Sequence, residues 1–145
     1  DVMSQTPSRP TDRLNALLQV ELAAVLAYQH ALRSLDGRLG GDSGQVRGMA
    51  AGHQRNVAAL QGCIRALGGV PVVDPGAAWS AFALLRDELS VQQLLEAEEC
   101  GLADYEAALP ALEGDVRDLV ETELIPRQQQ HVAALSKLLL DVCKA

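Results

Sequence analysis

Aromatic residues are scarce in this chain: one Trp, two Tyr and one Phe among 145 residues, or 3%, beside a hydrophobic content of 48%. Sheet cores draw on aromatic and β-branched side chains, whereas the apolar residues here are mostly Leu, Ala and Val without β-branched runs, which favours helices. Cysteine is thin as well. Cys63, Cys100 and Cys143 are odd in number, widely spaced and free of any C-x-x-C pair, which argues against a disulfide framework or a thiolate metal site. They read as small core or surface residues in a reducing cytoplasm. Long apolar runs are missing too. Leu22 to Tyr28, the longest in the first helical segment, falls far short of the roughly 20 residues a bilayer span needs. Lys and Arg form no cluster along the chain and the net charge is −7, so neither a nucleic-acid backbone nor a membrane is an expected partner.

What remains is enough for one domain over residues 11–145. The first ten residues are polar and hold two prolines, and they read as a disordered tail rather than a signal peptide. Leu14, Leu17, Leu18, Val25, Leu32 and Leu35 recur at helical spacing, predicting a helix over about 12–36 that ends at Gly37, Gly40 and Gly41. Asp42 or Ser43 caps a second helix, stopped by Gly68-Gly69 and Pro71. Asp74-Pro75 opens a short crossover helix over 75–88 that carries Trp79, Phe82 and Leu85. Ser90-Val91-Gln92-Gln93 reads as a capping box for a third helix over 90–109, ended by Pro110. A fourth spans about 114–142, and Pro126 should kink it.

The chain repeats itself. Leu17-Leu18, Glu21, Tyr28 and Ala31-Leu32 recur 77 residues later as Leu94-Leu95, Glu98, Tyr105 and Ala108-Leu109. The second and fourth helices match more weakly, around His53 and His131. In steps of seven, the core rows read Leu14-Glu21-Tyr28-Leu35, Val46-His53-Leu60-Leu67, Val91-Glu98-Tyr105-Leu112 and Leu124-His131-Leu138. A titratable group interrupts every row. Burying a carboxylate without a partner costs several kcal/mol, so these four groups must be compensated by one another or by a cation. Tyr28 and Tyr105 lie seven residues beyond their Glu, and because helical side chains lean toward the N-terminus each phenol can reach back toward the site. Counted from the loops, Glu21 and His53 are offset by about five residues, roughly 7 Å along the axis.

Glu on two helices and His on the other two is the ligand set that helix bundles direct inward to hold iron or manganese. On these residues the chain resembles the ferritin-like superfamily, including rubrerythrin-type proteins, and over nearly its whole length an uncharacterised bacterial family of such bundles. The resemblance implies an all-α, ferritin-like four-helix bundle of two helical hairpins joined by a crossover. It also implies a metal site on Glu21, His53, Glu98 and His131. In the superfamily's di-iron pattern the second and fourth helices each give Glu-x-x-His. Here those segments are Ala50-Ala51-Gly52-His53 and Gln128-Gln129-Gln130-His131, so both carboxylates are gone. Two Glu balance one divalent ion and leave a second uncompensated, which points to a single Fe, Mn or Zn, with Tyr28, Tyr105 and Gln128 as hydrogen-bonding neighbours of the ligands. Glu123, two turns before His131, joins them only if Pro126 distorts the helix. The alternatives are a metal-free structural or interaction bundle with a relic polar core, and an iron-dependent oxidase or ferroxidase. Self-association as a homo-oligomer is compatible with such a bundle.

Overall fold

The structure, a computed structural model, describes residues 9–35, 43–75 and 91–144. Among the described residues it is all-helical, and no helix is long and apolar enough to cross a membrane. Helix α1 runs Pro10–Leu35, α2 Ser43–Ala66 and α3 Val91–Ala108. A 3₁₀ turn follows at Leu109–Ala111, then α4 at Gly114–Leu119, a π-helical turn at Val120–Leu124, and α5 at Ile125–Lys144.

The helix ends follow from local chemistry. Pro10, read above as the end of the tail, is instead the first residue of α1, where its preset φ helps and its missing N–H is no loss. The Gly68 N–H donates to the Arg65 carbonyl and the Gly69 N–H to the Ile64 carbonyl. Gly68 takes φ +82°, completing the left-handed cap that ends α2. That cap leaves Leu67, expected in a core row, 48% exposed. Beyond it, the Asn15 side-chain amide donates to the Val70 carbonyl and accepts from the Val72 N–H, tying the outgoing chain to α1. Pro126 disturbs the last helix in the turn before it. Proline lacks an N–H and its ring crowds the carbonyl four residues back. The turn widens accordingly, and the Ile125 N–H bonds the Val120 carbonyl five residues away. Glu123 stays exposed, away from the site.

Helix α1 packs on α2, α3 on α5, and α1 on α3. The buried apolar residues fall into two clusters. One joins Tyr28, Ala31, Val46, Met49, Val91, Leu94, Leu135 and Leu138. The other joins Leu14, Leu18, Leu60, Ile64, Tyr105, Leu112 and Leu124. Read through these clusters, α1 and α2 are antiparallel, as are α3 and α5, while α2 and α3 run in the same direction. The expected crossover helix, with Trp79, Phe82 and Leu85, and the capping box at Ser90 lie outside the described residues, apart from Pro75 at its start. Between the two apolar clusters lies a polar layer.

Candidate metal centre

Glu21, His53, Glu98 and His131 are each at most 6% exposed and all lie in that layer. The Nδ1 of His53 is 2.6 Å from Glu21 Oε2, so the offset counted from the loops does not keep the two side chains apart. The Nε2 of His53 bonds Glu98 Oε1. One imidazole thus bridges two carboxylates from different hairpins, and with both nitrogens donating it is an imidazolium. Burial alone would discharge His53, but the two carboxylates outweigh it and lift its pKa to about 10. Burial likewise opposes the charged form of Glu98. The His53 charge, with the approach of His131, holds that carboxyl at about 2.

The tyrosines cross over. Tyr28 donates to Glu98 Oε1 at 2.5 Å and Tyr105 to Glu21 Oε1 at 2.6 Å, so each phenol serves the carboxylate of the other hairpin rather than of its own helix. Burial first, and then those carboxylates, push both phenols well above their ordinary pKa. Gln128 Nε2 donates to Glu98 Oε2 at 2.5 Å and to the Glu98 carbonyl at 2.9 Å. It stands three residues before His131, where the resemblance would have put a Glu. Ala50, at the matching place before His53, is a partly buried apolar residue packed on the first cluster.

Two residues of the layer went unread in the sequence. Asn56 is fully buried and donates to Glu21 Oε1 at 3.2 Å, while its own Oδ1 accepts from Arg127 at 2.6 Å. Its position three residues after His53, on the same helical face, is the signal that could have found it. Arg127 adjoins Gln128 and carries no such mark. Two mid-helix glycines are the other overlooked sign, since Gly in a helix interior costs about 1 kcal/mol relative to Ala. A Cβ on Gly52 would stand 2.7 Å from His131 Nε2, and one on Gly101 would stand 2.9 Å from Gln128 Nε2. Both glycines are the room that α5 side chains need to enter the layer.

His131 differs from His53. Its Nδ1 is buried, lies 3.5 Å from Glu98 Oε2, and has no hydrogen-bond partner among the described residues. The Gln128 Oε1 is similarly left over. One ligand atom each from His53, Glu98 and His131 falls within 4.8 Å of the others, so this buried trio can hold a metal ion. Glu21, expected among the ligands, is bonded instead to the far nitrogen of His53.

A scan against protein-family models gives no match, and comparisons with curated proteins and with solved structures give none either.

Proposed function

We propose that this chain is a ferritin-like four-helix bundle binding one divalent transition-metal ion through His53 Nε2, the Glu98 carboxylate and His131 Nδ1. The observation that carries this reading is the orphaned Nδ1 of His131, a buried polar atom 3.5 Å from Glu98 Oε2 in a trio whose ligand atoms lie within 4.8 Å of one another. Bonds of roughly 2.0–2.2 Å set donors about 3–4 Å apart, so the ion would replace the proton between His53 Nε2 and Glu98 and part that pair, while His131 Nδ1 already stands 3.5 Å from Glu98 Oε2. Glu21 keeps the Nδ1 proton of His53, setting the tautomer that frees Nε2, and Tyr28 and Gln128 orient Glu98. Glu21 and Glu98 together balance one divalent charge. Two imidazoles and one carboxylate suit Zn or Fe(II), and Mn less well. The duplicated hairpins, the shared direction of α2 and α3, and Glu on α1 and α3 facing His on α2 and α5 support the ferritin-like assignment.

Protein purified without chelator should carry about one equivalent of metal by elemental analysis. The Glu98→Ala, His131→Ala double variant should lose it. Metal that is absent after reloading, or indifferent to those changes, overturns the reading.

One observation favours a second reading, a metal-free structural module. The His53 imidazolium already sits between two carboxylates, so a proton can take the place of the cation. Under that reading added Zn, Mn or Fe(II) leaves the Tm unchanged. Under metal binding the Tm rises with ion concentration.

A further inference from the structure

The charge of the chain is unevenly divided. Helix α2 carries Arg47, Arg55 and Arg65 and no Asp or Glu, whereas α3 carries Glu96, Glu98, Glu99, Asp104 and Glu106 and no Lys or Arg. On the α2 side, a groove of about 350 Å³ runs between α2 and α5. Two arginines line it, Arg55 from α2 and Arg127 from α5, together with the amides Gln45 and Gln130, and no carboxylate does. In a protein of net charge −7, that is a local reversal of sign.

The groove reaches the polar layer. His131 forms part of its wall, and its Nε2 lies against the α2 backbone where Gly52 has no side chain. One turn earlier, a Cβ on Gly48 would meet nothing within 4 Å among the described residues, so the groove is open there. Arg127 uses one N–H on Asn56, which leaves most of the five donors of its guanidinium for another acceptor. A guanidinium fork matches the paired oxygens of a carboxylate or phosphate. At about 30 Å³ per water, the volume holds such an anion and several waters.

We infer that the α2–α5 groove binds a small oxyanion, the size of phosphate or a short carboxylate, between Arg55 and Arg127. The Nε2 of His131 lies at its inner end, next to the candidate metal centre. The two arginines act whether or not metal is bound; only the contribution of His131, whose proton sits on Nε2 once Nδ1 is a ligand, rests on the metal reading.

The test is titration of inorganic phosphate, and separately acetate, into the full chain at constant ionic strength, followed by amide chemical shifts. Saturable shifts should centre on Gly48, Gly52 and the Arg55 and Arg127 side chains. Arg55→Gln and Arg127→Gln should each weaken binding about tenfold or more. Gly48→Leu should fill the groove and abolish binding while metal content holds and Tm does not fall, since the helix regains propensity. An absence of saturable shifts, shifts spread evenly over all arginines, or binding unchanged in Arg55→Gln and Gly48→Leu overturns the site. Metal content is measured on the same samples, so the oxyanion site and the metal centre stand or fall separately.

Discussion

The two hairpins begin from the same pattern and finish with different histidines. In the first, His53 spends both nitrogens on buried carboxylates. In the second, His131 leaves Nδ1 without a hydrogen bond inside the layer and sets Nε2 against the groove. The residues around them explain the divergence. Gly52 precedes His53 and makes room for the ring of His131, whereas Gln130 precedes His131. Asn56 follows His53 and braces Glu21, whereas Ala134 stands at the matching place. The repeated pattern gives a symmetric frame, and the neighbouring residues commit one histidine to two carboxylates and leave Nδ1 of the other without a hydrogen bond.

The largest effect should separate those roles. With chelator present, His53→Ala should lower stability to urea by about 3–5 kcal/mol, because it strips two buried carboxylates of their shared cation. His131→Ala should cost about 1 kcal/mol or less beyond the lost packing, since no hydrogen bond to Nδ1 is broken. Equal losses would erase the distinction between the hairpins. Both variants should lose metal.

Acidity sharpens the same contrast. The folded pKa of His53 is raised to about 10, so its contribution is complete below its ordinary value near 6.5 and is lost as pH rises through about 10. Glu98 is lowered to about 2, so its contribution is present above about 4.5 and is lost as pH falls through about 2. Chelated protein should therefore be most stable between about pH 4.5 and 6.5. His53→Gln should flatten the alkaline slope, measured by urea denaturation across pH.

The tyrosines test the symmetric part of the frame. Tyr28→Phe and Tyr105→Phe each remove one hydroxyl donated to a buried carboxylate of the opposite hairpin, and each should cost about 1.5–3 kcal/mol by the same measurement. A marked inequality between them would show that the two carboxylates are not equivalent.

The smallest change probes the room made for α5. Gly52→Ala brings a methyl to 2.7 Å from His131 Nε2. It should cost about 1–3 kcal/mol from overpacking, less the helix propensity regained. It should also weaken metal binding by displacing the ring, read as a higher dissociation constant for Zn.

Much of this protein was legible along the chain. Leu and Ala at helical spacing called for helices, Gly68-Gly69 marked the end of α2, and a titratable residue breaking each core row marked Glu21, His53, Glu98 and His131 as one buried group. Those features depend on period and propensity, which a sequence carries locally. Only the tertiary structure decided how the four divide the work. Sequence spacing put Glu21 and His53 about 7 Å apart along the axis, whereas the fold brings their side chains into contact. It could not tell that His53 would turn one nitrogen to each carboxylate, that the tyrosines would cross between hairpins, or that Asn56 and Arg127 would join the layer from residues 71 apart. Nor could it show that Arg55 and Arg127, far apart in a chain without a basic run, line one groove. Hydrogen bonds and charge pairs form over a few ångströms between groups on different helices, so their partners are chosen by packing and not by spacing.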